Sequence, residues 1–420
     1  MNKHLKHLCV VSVISVAAII SPNVFSQVSA PIACPDYKRG PTNIPGQKVG
    51  KKVGKALEAY NNDLIDEALN ILYDIDTSDT FDRAFTDRFI GNLLATQNGK
   101  AKKSIEYLQK AVAPNKLNDS EQVGTIKLIA DLSLQEEQYD SALKYYKQWL
   151  KVTCKEDFDV YFRMANAYYQ TQRYAEIIAP INKAIALAKK PNKTAYALKM
   201  TSYYNRKMYK ETIQVQEETV RIFPDDKGQW TQLGFFYMLV EDHKKALSTF
   251  EMAHMQGYLT KPAEIKALSQ LYSMNNIPIK AAKILGKYLK SGLVKTEERM
   301  LTSVASSYQQ AKEFKEAADY YGRSAKLSSD PDLYKKQGMV YYALEKYSSA
   351  IIALQKALDG GSDKKGAIHL AMMQANFDKG DFKSAYKHVK EAKKDKSTAR
   401  NARSWEPYIK EKAINRGIKL

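Results

Sequence analysis

The chain has 420 residues, 44% of them hydrophobic and 26% charged, and a formal net charge of +19. That balance excludes a disordered chain, which has too little apolar surface to bury, and it suffices for one or two ordinary cores. The basic surplus favours acidic partners, although the lysines are spread along the whole chain, as on solvated helix faces.

The first element is a leader. Lys3 and Lys6 precede the apolar run LCVVSVISVAAII at 8–20, and small residues follow between Ser21 and Ala30. This order predicts a secretory signal peptide over 1–26. Cleavage as late as residue 30 would leave Pro31 beside the cut, so the earlier position is preferred. The apolar run is shorter than the roughly 20 residues that span a bilayer, and no later run is long enough. The expectation is a soluble periplasmic protein with no integral membrane span. Loss of the two leader lysines lowers the net charge from +19 to +17, and Cys9 leaves with them. Export removes nucleic acid from the expected partners and leaves a weak contact with anionic envelope polymers.

Residues 27–47 are too rich in Pro and Gly for a helix and read as an extended segment. Cys34 lies within it. Lipid attachment there needs an aliphatic residue three positions earlier, where Pro31 stands, and a closer apolar run.

From 48 to 395 one unit repeats. Its clearest copy is WTQLGFFYMLVEDHKKALSTFEMA at 230–253, in which Trp230, Leu233, Gly234 and Tyr237 are followed by Ala246, Phe250 and Ala253. Equivalents of Gly234 fall at Ala56, Asn92, Ala130, Ala165, Met200, Ser269, Ala305, Gly338 and Met373, spaced by 33–38 residues. Twelve residues after each, a second position is Ala in seven copies and Ser104, Ile177 or Thr212 in the others. Two small residues at this spacing let two helices cross closely. The pattern resembles the tetratricopeptide repeat, W-x2-L-G-x2-Y…A-x3-F. The resemblance implies an all-α solenoid of about ten helix-turn-helix repeats, each unable to bury its apolar stripe alone. In the first repeat, Val49, Val53 and Leu57 recur at helical spacing and predict that stripe. At the far end, 396–420 reads as a capping helix and basic tail, with the helix at 398–413. Trp405 and Tyr408 are placed to cover the last repeat, and Pro407 to kink or delay the helix.

The only other cysteine of the mature chain is Cys154, just after the third repeat. An even pair in an oxidising compartment predicts a disulfide between Cys34 and Cys154. The 14 residues from Cys34 to Lys48 reach roughly 46–50 Å at about 3.3–3.6 Å each. The segment 31–47 should therefore lie along the first three repeats.

Nothing in the chain argues for an enzyme. The G-x-x-x-x-G-K-[ST] and G-x-S-x-G patterns are missing, and the four histidines of the mature chain form no H-E-x-x-H or other spaced ligand set. No metal or cofactor is expected. In repeats of this kind the second, fifth, ninth, twelfth and thirteenth positions of the first helix line the concave face. The resemblance thus assigns a partner-binding groove to Phe162, Asn166, Tyr169, Thr201, Tyr204, Asn205, Phe235 and Met238. Phe162 stands where carboxylate-clamping relatives carry lysine, so recognition of a free C-terminus is not expected.

A narrower resemblance rests on the leader, the early CPDY, the run VGKKVGKALEAY at 49–60 and the ten repeats. Together they are similar to periplasmic repeat proteins associated with TonB, ExbB and ExbD energy-transduction systems. That resemblance implies a non-enzymatic adaptor supporting energised uptake of an iron-siderophore or haem across the outer membrane. The alternative is a cell-envelope assembly or polysaccharide-export scaffold that binds peptidoglycan or an acidic polymer.

Overall fold

The structure, a computed structural model, describes residues 32–38 and 42–420. The predicted signal peptide lies outside the described residues. The described chain is all-α, with no strand. Ten helix pairs follow one another: α1 (Gln47–Asn61) and α2 (Ile65–Tyr73), α3 (Thr80–Ala95) and α4 (Ala101–Val112), α5 (Asp119–Gln135) and α6 (Tyr139–Thr153), α7 (Phe158–Gln170) and α8 (Ile178–Leu187), α9 (Lys193–Asn205) and α10 (Tyr209–Ile222), α11 (Lys227–Leu239) and α12 (His243–Met255), α13 (Pro262–Met274) and α14 (Pro278–Lys290), α15 (Glu298–Gln310) and α16 (Phe314–Ser328), α17 (Pro331–Ala343) and α18 (Tyr347–Asp359), α19 (Lys365–Lys379) and α20 (Phe382–Lys394). A single helix, α21 (Ala399–Ile414), closes the series. The chain divides into two compact units, the first ending at Phe223 and the second running from Pro224 to Leu420.

The pairing follows from the small residues. Every one of the ten first-helix positions is buried. All ten second-helix positions, Ile177 and Thr212 included, have no exposed surface. At Gly234 an added Cβ would lie 2.5 Å from the ring of Phe250, and at Gly338 2.7 Å from Leu354. The second pair differs from expectation. Its close approach is at Gly91, where a Cβ would meet Leu108 at 2.5 Å, rather than at the neighbouring Asn92.

Each pair also turns the same way. Seven residues after each first-helix position the backbone is left-handed, at Asp63, Gly99, Glu137, Gln172, Lys207, Glu241, Asn276, Lys312, Glu345 and Gly380. Nine of these turns are closed by the six-to-one bond that ends helices, as in Asp242 N–H to the Tyr237 carbonyl at 2.9 Å. Only two of the ten positions are glycine, so packing of the two helices imposes the conformation at the other eight.

Two expectations need correction. The stripe of α1 is Val49, Ala56 and Ala59 with the partly buried Val53 packed against it, while Leu57 is 41% exposed. Starting from Val49, a step of seven and then three tracks a 3.6-residue helix, whereas repeated steps of four drift off the face. Pro407 neither delays nor ends α21; it sits inside the helix. In the second unit, α21 covers the last pair: Ala402 and Ile409 join Met373, Val389 and Ala392 in one core cluster. The ring of Phe377 meets Trp405 at 5.5 Å and Tyr408 at 5.3 Å.

Candidate functional site

The described part of the N-terminal segment is a strap across the first unit. Ile32 packs on its core, and the Ala33 N–H donates to the Thr153 carbonyl at the end of α6 (2.7 Å). Cys34 and Cys154 are joined, with Cα atoms 4.9 Å apart. Cys154 adopts a left-handed conformation after α6, which ends the helix and turns its side chain out of the helical register. The Tyr37 hydroxyl then donates to Asp119 at the start of α5. Beside it, Asn118 holds both backbone groups of Asn43: its Oδ1 accepts from the N–H at 2.7 Å and its Nδ2 donates to the carbonyl at 3.1 Å. Finally, the Gly46 N–H donates to Asp82 in the first turn of α3 (2.8 Å). The strap thus visits the N-terminal ends of two first helices, where unsatisfied amides already favour acidic and amide side chains. Nothing in the spacing of Asp82, Asn118 and Asp119 along the sequence marks them as partners of the strap.

The expected groove residues divide between the two units. In the first, Phe162 is half-buried and stacks on Phe158, with centroids 5.7 Å apart. Asn166 is half-buried and has no hydrogen-bond partner among the described residues. Tyr169 tilts against Tyr174 at 6.3 Å, and Tyr204 against Tyr209 at 6.1 Å. The Asn205 amide, though exposed, donates to the Thr201 carbonyl of its own helix at 2.9 Å. Thr201 departs from the expectation of a groove-lining side chain: it is 7% exposed, and its hydroxyl folds back to donate to the Ala197 carbonyl of its own helix at 2.8 Å. In the second unit, the half-buried Phe235 sets its ring edge-on to Phe250 at 5.1 Å, inside its own helix pair, and Met238 is half-buried.

The second unit also holds a concavity that the aromatic criterion passed over. It measures about 380 Å³ and is lined by Ser273 of α13 and, along α15, by the Glu298 carboxylate, Arg299, Thr302, Ser303, Ser306, Ser307 and Gln310. Of these, Arg299, Thr302, Ser306 and Gln310 stand at the second, fifth, ninth and thirteenth positions of their repeat. Thr302 bonds Glu298 and Ser324 at 2.9 and 2.8 Å, which fixes the first turn of α15 against α16. The rest present small hydroxyls, an amide and one exposed guanidinium.

Two further groupings are invisible in linear spacing. Tyr146 and Arg163 both bond Asp131, at 2.5 and 2.8 Å, a network between α5, α6 and α7. Burial foremost, with the Asp131 charge next, pushes the Tyr146 hydroxyl up, so it remains a donor. His369 and His388 face each other across the last pair, Nδ1 to Nδ1 at 3.1 Å. One imidazole must donate and the other accept. Burial first, then His369 and Lys387, push His388 down to about 4. Among the described residues no three His, Cys, Asp or Glu side chains converge as a metal site would require.

A model of the tetratricopeptide repeat family matches residues 128–192. That stretch is tetratricopeptide repeat sequence. It runs from the middle of α5 to the end of α8, and the helix pairs on either side repeat its geometry. Among solved structures, the C-terminal part of a TPR repeat-containing protein from Cytophaga hutchinsonii is 18% identical, with a TM-score of 0.37 over 57% of this chain and 96% of that one. YrrB, described as a TPR protein with an unusual peptide-binding site, is 20% identical, with a TM-score of 0.34 over 44% of this chain and 92% of that one. The Naa15/Naa10 complex bound to HypK is 14% identical, with a TM-score of 0.47 over 88% of this chain and 66% of that one. No curated protein matches the sequence. No described helix is long and apolar enough to cross a membrane.

Proposed function

We propose that this chain is a tetratricopeptide repeat adaptor that holds an extended segment of a protein partner on its first-helix faces and performs no chemistry of its own. The observation that carries this reading is the polar face of α15. Its small hydroxyls leave a concavity large enough for a partner side chain, while Ser303, Ser306 and Gln310 offer bonds to a partner backbone. Phe162, Asn166, Tyr169, Tyr204, Phe235 and Met238 supply further contact area, at the low entropic cost of rings with two rotatable bonds. Photocrosslinkers placed at Ser306 and Asn166 should capture the same partner. Equal capture from the second-helix positions Lys244 and Lys383 overturns the reading.

The partner and compartment follow from the leader, CPDY and VGKKVGKALEAY. They support a periplasmic protein that binds TonB, ExbB or ExbD components, or an outer-membrane receptor, during energised uptake of an iron-siderophore or haem. The Cys34–Cys154 bond is consistent with export, since disulfides persist in oxidising compartments. Deletion should abolish growth on a chelated iron source. Normal growth there, with adaptor crosslinks retained, removes the uptake role and leaves the adaptor.

A further inference from the structure

On the other side of the second unit's helix pairs, α14 borders a second cavity of about 540 Å³, lined by Lys283, Gly286, Lys287, Lys290, Ser291, Tyr308 and Tyr320. Lys283, Lys287 and Lys290 recur at i, i+4 and i+7, so they share one helix face and span about 10 Å. All three are exposed, and none has a carboxylate within ion-pair distance among the described residues. Lys280, one turn earlier, is different: it pairs with Glu251 at 3.0 Å. The unpaired set is therefore confined to the cavity wall.

The opposite wall is built to match. Gly286 is a glycine because a Cβ there would stand 2.9 Å from the Tyr320 hydroxyl. Without one, that hydroxyl reaches the α14 backbone and forms part of the cavity lining. Tyr320 is 6% exposed, and its hydroxyl has no hydrogen-bond partner among the described residues. The ring is buried but the hydroxyl opens into the cavity, where it is free to bond a ligand. The ring is itself held between the Arg323 guanidinium, 4.6 Å from its centroid, and Tyr308 at 5.8 Å. Tyr308 is half-buried, and burial, then Tyr320, Glu316 and Glu313, push its hydroxyl up, so it stays protonated. Glu316 in α16 and Glu313 just before it are exposed and do not line the cavity.

We infer that this cavity binds an acidic oligosaccharide, one bearing two or more negative groups along its sugar chain. The polar side chains that line it are three lysines, two tyrosine hydroxyls and Ser291, with no carboxylate among them, so the ligand must supply acceptors and charge. Charge spread over about 10 Å calls for more than one anionic group. A lone phosphate would leave most of the volume to water, each molecule taking about 30 Å³. The half-exposed ring of Tyr308 offers an apolar face for a sugar ring. Carboxylate and phosphate substituents share this chemistry.

Calorimetry on the full, disulfide-bonded chain at low salt separates them, using trigalacturonate and glucose 1,6-bisphosphate as probes, with chitotriose and inorganic phosphate as controls. At least one charged saccharide should bind, chitotriose should not, and phosphate should be weaker by about ten-fold or more. K283Q/K287Q/K290Q should lose about ten-fold in affinity and flatten the salt dependence, since three cations leave the site. Y320F should weaken binding by about three-fold or more while leaving the salt slope unchanged. K346Q/K383Q/K396Q removes the same charge elsewhere in the unit and should bind normally. Equal loss in that control shows diffuse attraction and overturns the proposal. So does tight binding of phosphate alone, or no binding of either charged saccharide while circular dichroism reports an intact fold.

Discussion

Two glycines show how far a single hydrogen-for-methyl exchange depends on its surroundings. Gly54 lies exposed in α1 with nothing within 4 Å of an added Cβ. Gly54→Ala should therefore stabilise the protein by up to about 1 kcal/mol, the difference in helix propensity. Gly234 has the same propensity to gain, but its Cβ would lie 2.5 and 2.7 Å from ring carbons of Phe250, which has no exposed surface into which to move. Overpacking costs about 1–3 kcal/mol and outweighs the propensity gain, so Gly234→Ala should destabilise; urea denaturation of both variants checks the opposite signs. His388 adds a pH dependence. Its pKa falls from 6.5 to about 4 on folding, so between those values the unfolded chain binds more protons. Stability of the last pair is then complete above pH 6.5 and declines as pH falls toward 4. Groups facing the two imidazoles include Lys365, Lys387, Lys394, Glu391 and Asp381. His369→Gln removes one of the causes that depress His388 and should raise its titration midpoint, measured by NMR.

Among the elements, the strap is the one whose path depends on few groups. Asn118 both accepts from and donates to Asn43 while sitting at the N-terminus of α5, bonded to Glu121. Asn118→Asp keeps an acceptor for the cap but loses the donor, so hydrogen exchange should quicken at 42–46 and stay unchanged within α5. Asn118→Ala loses both roles and should cost about 1–2 kcal/mol, as cap removals do. The helix pairs themselves were legible because crossing helices demand a small residue at each contact, and that demand recurs every 33–38 positions whatever the rest of the sequence does. The turns were not legible. Left-handed backbone is usually signalled by glycine, yet here it falls on Glu137, Gln172, Lys207, Glu241 and Lys312 among others, held by the packed helices on either side. Within the proposed groove, position in the repeat singles out Asn166 and Tyr169, which are half-buried, and also Thr201, which is buried because position alone cannot say which way a hydroxyl bonds; the small hydroxyls of α15 carry no composition signal.

For the molecule as a whole, the division at Phe223 and Pro224 marks two compact units whose separate unfolding can be tested. Stacked repeats are stabilised by neighbour contacts, so a strained or loosened end is felt most by the repeats beside it. The disulfide closes a loop with a sequence separation of 120 residues, all of it inside the first unit. In the chain-entropy description a loop of that size stabilises by about 4–5 kcal/mol. That is a large share of the 5–15 kcal/mol typical of a domain. Reduction should therefore lower the stability of the first unit far more than that of the second. Tryptophan fluorescence can separate them, because Trp149 is buried in the first unit while Trp230 and Trp405 belong to the second. In a Trp230→Phe/Trp405→Phe variant, dithiothreitol should shift the Trp149 transition to markedly lower urea. In a Trp149→Phe/Trp230→Phe variant the Trp405 transition should stay where it was. Two coincident transitions that shift together would mean that the units unfold as one cooperative body, and the additive repeat description would fail for this chain.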